Sequence, residues 1–190
     1  MRYLPLLLLM ILSFGCKKDS ENGQVIELFV DHYADSGGQM IYTLPKKTLI
    51  TTYLEGFDER ELGNTYKVKA EVYIPEVPPQ DGPSRWYKFV KVISKAVYTG
   101  TESFNISLKT SSIFSTTIAV RLENQIFYYG SYILRPENDA VKKQLEDVLA
   151  LRSKFQTDSQ YAAQVLIDAT VIHDPNNRSN GYLVKLVKIQ

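Results

Sequence analysis

The sequence predicts a mainly β chain, folded as two tandem small antiparallel β-barrel or meander units, the second carrying one α-helix. Three observations lead there. Apolar and β-branched residues alternate with polar ones in run after run, the period expected when one face of a strand is buried. Aromatic residues are abundant, with thirteen tyrosines and eight phenylalanines among 190 residues, and such rings suit half-buried strand positions. Only one stretch, about residues 137–155, changes to helical spacing.

Hydrophobic residues make up 44% and charged residues 23%, an ordinary globular balance that argues against wholesale disorder. The formal net charge is +1. A near-neutral chain offers no basic footprint for a phosphate backbone, so no nucleic-acid partner is expected. Cys16 is the only cysteine, which leaves stability to buried apolar surface.

The first fifteen residues read as a lipoprotein signal peptide. Arg2 precedes an apolar run, residues 3–15, that is too short to span a bilayer comfortably and fits a signal-peptide core. Gly15 supplies the small residue before the cut, and Cys16 would become the acylated N-terminus. Ser13-Phe14-Gly15-Cys16 is similar to the lipobox of bacterial lipoproteins, in the looser form of the Bacteroidota, with Leu12 one place too early. An ordinary cleaved signal or a buried core cysteine are the alternatives. Acyl chains on Cys16 would hold the protein to a membrane at about 0.8 kcal/mol per buried CH₂. Lys17, where Asp would imply inner-membrane retention, points to the outer membrane. The charged run from Lys17 to Glu21 resembles Bacteroidota surface-export signals as much as a solvated linker, so the periplasmic and cell-surface sides both stay open. Residues 16–24 are then a tether.

The first β unit is expected over residues 25–100. Strands are predicted near residues 25–30, 40–44, 48–54, 66–74 and 86–98, with the third read as one continuous strand. Val68, Ala70, Val72 and Ile74 alternate against Lys67, Lys69, Glu71 and Tyr73, the clearest period-two signal in this half. Pro75, Pro78, Pro79 and Pro83 cannot continue a ladder and make a stiff loop. Gly56 and Gly63 suit turns that need positive φ. Tyr66 and Tyr87 read as strand packing, and residues 58–61 as a solvated turn.

Glu55-Gly56-Phe57, then Gly63 with Tyr66 and Val68, then Pro78-Pro79 with Asp81, then Tyr87, Val90, Val92, Ser94 and Lys95 resemble one recurring pattern. It is that of a small Bacteroidota-type lipoprotein domain of unknown function, often found alone or beside META/HslJ-like domains. The resemblance covers about residues 25–95. That domain commonly carries two cysteines around its first hairpin, and residues 34–43 here have none. It implies no activity.

The second β unit is expected over residues 101–190. Phe104, Ile106 and Leu108 alternate, then Ile118, Val120 and Leu122, then residues 126–134. Asn138 and Asp139 suit a helix N-terminus, and Val141, Leu145, Val148, Arg152 and Phe155 follow one helical face. Val165, Ile167, Ala169 and Val171 resume the strand period, and residues 182–189 close the chain. Three strands, a helix and two strands is the order of an oligonucleotide/oligosaccharide-binding (OB) barrel; a β-sandwich with an inserted helix is the alternative. The halves also resemble a degenerate repeat, pairing residues 68–74 with 165–171 and 87–93 with 182–187, as β-meanders in general resemble one another.

No motif for a metal, nucleotide or nucleophile site is present, and the reading calls for no cofactor and no metal. The function expected is a non-enzymatic envelope module that binds an unknown envelope protein or a glycan. For a glycan, the candidate rings are Trp86, Tyr87, Phe127, Tyr128 and Tyr129, because sugars stack on exposed aromatic faces. The rival, a hydrolase, would centre on His32 beside Asp31 or on His173 beside Asp174, with a carboxylate partner in a concave pocket.

Overall fold

A computed structural model describes residues 21–35, 38–111 and 115–190. The expected signal peptide, Gly15 and Cys16 lie outside the described residues. The described residues are mainly β, with two six-stranded sheets and one two-stranded sheet. Among the described residues no helix is long and apolar enough to cross a membrane.

The first sheet contains β1 (Val25–Asp35), β2 (Gly38–Thr43), β3 (Thr48–Leu49), β4 (Leu54–Glu55), β5 (Asn64–Tyr73) and β6 (Trp86–Val97). Its order is β3-β2-β1-β5-β6-β4. The alternation seen in the sequence is kept: Tyr66, Val68, Ala70 and Val72 of β5 are buried while their neighbours are half-exposed. They pack on Leu28, Val30, Ile41, Leu54, Phe57 and Tyr87 as one core. Two expectations are corrected here. Residues 48–54 form two short edge strands instead of one, and β4 pairs β6 in parallel, so the sheet is mixed and is no simple meander.

The second half contains β7 (Phe104–Ser107), β8 (Lys109–Ser111), β9 (Thr116–Ile118), β10 (Val120–Glu123), β11 (Ile126–Tyr129) and β12 (Tyr132–Pro136). Helices α1 (Asp139–Ala150), α2 (Arg152–Thr157) and α3 (Ser159–Gln164) follow, then β13 (Ile167–His173) and β14 (Gly181–Ile189). The sheet order is β10-β11-β12-β14-β13-β7, with β12 parallel to β14. Parallel partners need a crossover, and the three helices with β13 supply it. The hairpin β8–β9 continues β7 and β10 beyond Leu108 and Ala119. The strands are interrupted at those two residues, although the Ala119 N–H donates to the Leu108 carbonyl at 2.8 Å, and no closed barrel forms among the described residues, which corrects the barrel expectation.

The helix starts where its capping residues placed it, with the Asn138 side chain accepting from the Val141 N–H at 3.0 Å. Val141, Leu145 and Val148 are buried as the helical spacing requires. The predicted single helix is interrupted at Leu151, and α2 carries the buried Phe155. Arg152 leaves the apolar face to donate to the Val120 carbonyl at 2.5 Å.

Candidate functional site

β1 outruns its partner β5, whose ladder with it reaches Val30 and Tyr66. The strand period continues past that point, so His32 and Ala34 still point inward, now toward the second sheet. Ala34 and Leu62 belong to the core of the second half. A buried imidazole needs a partner, and His32 finds it 141 residues away: its Nδ1 lies 2.8 Å from Nε2 of His173, the last residue of β13.

The neighbours select the tautomers. His173 Nδ1 is buried without a partner, and a bare lone pair there costs less than an orphaned N–H would. His173 Nε2–H is therefore the donor and His32 Nδ1 the acceptor. His32 Nε2–H then faces Asp31 Oδ1, 3.8 Å away, a separation beyond hydrogen bonding. Burial pushes both histidines below their ordinary range. His173 falls to about 3, helped by His32, Arg178 and Arg60. For His32, burial outweighs the opposing charges of Asp31 and Glu102. Both rings are neutral at pH 7.

Aromatic and polar groups close this seam. Tyr98 stacks on His32 at 3.6 Å, and Phe104 meets it edge-on at 5.2 Å. A Cβ on Gly100 would lie 2.3 Å from the Tyr98 ring, so only glycine leaves room for that stack. Arg60 donates to the carbonyls of Asp31 and Tyr33 and to the Tyr132 hydroxyl. Residues 58–61, expected to be a solvated turn, thus include a cross-sheet clamp. The Tyr182 hydroxyl accepts from the Ala34 N–H at 2.8 Å, and Asp35 accepts from the Ser107 N–H at 2.7 Å. Arg178 donates to the Tyr98 carbonyl. Asp174 is buried and held by Arg135 through two bonds of 2.7 Å, which keep its carboxyl below the usual range. A paired, neutral, ring-covered imidazole has the chemistry of a structural latch.

The five candidate rings separate. Tyr87, Phe127 and Tyr129 are buried core residues. Tyr128 is half-buried under the Arg121 guanidinium, 4.6 Å from its centroid. Trp86 is half-buried between Tyr73 at 4.6 Å and Tyr53 at 5.7 Å, and its indole N–H donates to Glu55 at 2.9 Å. Strand parity explains the split, since Trp86 and Tyr87 are neighbours facing opposite ways. Tyr53 is 48% exposed and was not among the expected residues. Its parity against the buried Leu54 was the signal that could have found it.

Beside Tyr53 runs a cleft of about 340 Å³ bounded by β2, the segment before β4, and the β11–β12 turn. A second, of about 470 Å³, shares Thr52 with it and extends toward Arg85. Neither is lined by a histidine. Among the described residues no group of three or more His, Cys, Asp or Glu side chains is placed to hold a metal ion. Compared with family models, curated proteins and solved structures, the chain has no match.

Proposed function

We propose that this protein is an outer-membrane lipoprotein of a bacterial cell envelope, anchored through Cys16, whose body is a non-enzymatic binding or interaction module. The observation that carries the reading is the apolar leader ending in Gly15-Cys16. The body lends support, because its two histidines are spent on each other in a buried latch. The resemblance of residues 25–95 to small Bacteroidota-type lipoprotein domains agrees with this address.

The tether fits it as well. Asn22 accepts from the Ile74 N–H at 2.8 Å, and the Gly23 N–H donates to Val72 at 2.8 Å, so the chain enters beside the proline-rich loop. Asn22 lies six positions after Cys16, a reach of at most about 20 Å. On this reading the proline-rich end of the first sheet faces the membrane.

We read the body as two tandem OB-like units. Support comes from strand order once β7–β8 and β9–β10 are each counted as one bent strand. Both halves then follow third-second-first-fifth-sixth-fourth, with the sixth and fourth parallel in each. The residues that look like a repeat fall on matching strands, β5 with β13 and β6 with β14. A sixth strand and the parallel pair depart from a plain five-stranded OB barrel.

Replacing Cys16 by Ala tests the anchor. The variant is expected in the soluble envelope fraction, without incorporation of labelled palmitate. Membrane retention equal to that of the parent would refute the reading. A second reading, a surface glycan-binding lipoprotein, is favoured by the Tyr53–Trp86–Tyr73 row beside the two clefts.

A further inference from the structure

The two clefts meet at Thr52, next to Tyr53, and together outline a slot beside β3 and β4, which do not pair. In the second half, β11 and β12 pair directly as a hairpin. We infer that this slot is a binding groove for a neutral oligosaccharide, an inference that rests on the glycan reading above.

The lining carries the argument. The inner cleft has no charged residue and combines an apolar floor of Ile41 and Leu54 with Gln39, Thr52, Tyr53 and Ser131. The Gln39 amide donates weakly to the Phe57 carbonyl, at 3.5 Å, while its oxygen is buried with no partner. A buried acceptor without a donor costs roughly 1–3 kcal/mol, so rotation of the weakly held Gln39 side chain into the cleft, where a ligand hydroxyl could donate to its oxygen, is rewarded. Tyr53 offers an exposed ring at the junction of the clefts, and a pyranose presents C–H groups to such a face and hydroxyls to its rim. The outer cleft continues the pattern with Thr43, Thr51, Thr52 and Ser84, and Arg85 is its sole charge. Both volumes are in the range of small-molecule sites. An ionic ligand would find no counter-charge in the inner cleft. Hydroxyls, one unused amide oxygen and an exposed ring together select a neutral, hydroxyl-rich chain.

Trp86 is the only tryptophan and stacks on Tyr53, so it reports on the slot. The test titrates the full-length protein in detergent with neutral hexasaccharides of glucose, xylose, mannose and fructose, read by tryptophan fluorescence and calorimetry. At least one is expected to bind with a dissociation constant below about 1 mM. Tyr53→Ala and Gln39→Ala should each weaken it about tenfold. Ser131→Trp, a change at an exposed turn that fills the slot, should abolish binding with the melting temperature unchanged. Tyr128→Ala, outside the slot, should bind as the parent does. If a hexasaccharide binds and all three slot variants bind it equally, the slot assignment is overturned while the glycan reading stands. If none of the four binds, or if only unstructured peptides compete for the slot, the glycan reading falls and the slot with it.

Discussion

In the second half, β11 and β12 turn back on each other through Gly130 and Ser131 and pair at three positions. In the first half the corresponding strands β3 and β4 are two residues each, and Ile50 to Tyr53 carry the chain away between them. The next connection differs too. Between β12 and β13 three helices lay Val141, Leu145, Val148 and Phe155 into the core. Between β4 and β5 a short loop does this with one ring, Phe57, set between positive-φ turns at Gly56 and Gly63. On the proposed reading of the halves as two related units, one strand order tolerates both a paired and an opened form. The opened form exposes an edge, and its shortness limits the hazard of edge-to-edge pairing.

Cutting into each core would break this comparison most sharply. Leu145 under the helix and Leu28 in the first sheet are both fully buried. Leu145→Ala and Leu28→Ala should each cost about 2–5 kcal/mol. If the halves melt as separate units, calorimetry of Leu28→Ala will show a lowered first transition and an unmoved second one. A single transition lowered equally by both changes would instead mean that the seam couples the sheets into one cooperative fold.

Acid addresses the seam itself. Asp31, Glu102, Arg178 and Arg60 surround the histidine pair, and burial holds His173 at about 3 against an ordinary 6.5. Between those values the unfolded chain binds protons that the folded pair refuses. Stability is thus complete above pH 6.5 and falls as the pH drops toward 3. The loss by pH 4 should be on the order of a few kcal/mol. His173→Leu should flatten that dependence, measured as denaturant midpoints between pH 7 and 4, even though it lowers stability at pH 7.

Much of the strand content was legible in the sequence because burial on one face leaves a local trace. Val68, Ala70 and Val72, or Ile167, Ala169 and Val171, could be assigned from spacing alone, and Asn138 announced the helix start. The latch was illegible, since His32 and His173 lie 141 residues apart and no local rule brings them together. Arg60 sat among acidic neighbours and read as solvated; only the fold brings it the Asp31 and Tyr33 carbonyls of β1 and, from the second sheet, the Tyr132 hydroxyl. Residues 48–54 are β-branched and aromatic enough for a strand, but propensity does not say which partner is absent. Three of the five candidate rings, Tyr87, Phe127 and Tyr129, are buried for a related reason. Phe127, Tyr128 and Tyr129 are consecutive, and strand parity buries the outer two while turning Tyr128 outward.

The smallest expected effect sharpens the difference between the connections. Asn138 caps α1 with its side chain and occupies a position at the edge of the second half. Asn138→Ala leaves the Val141 N–H to water and should cost about 1 kcal/mol. The first half has no counterpart of α1, so the loss should stay local. Amide exchange should quicken in the first turn of α1 and leave β5 and β6 unchanged. Exchange that quickens equally in both sheets would mean that the helix supports the whole molecule through β14 and the seam, and that the first half depends on the second half's crossover as well as on its own Phe57.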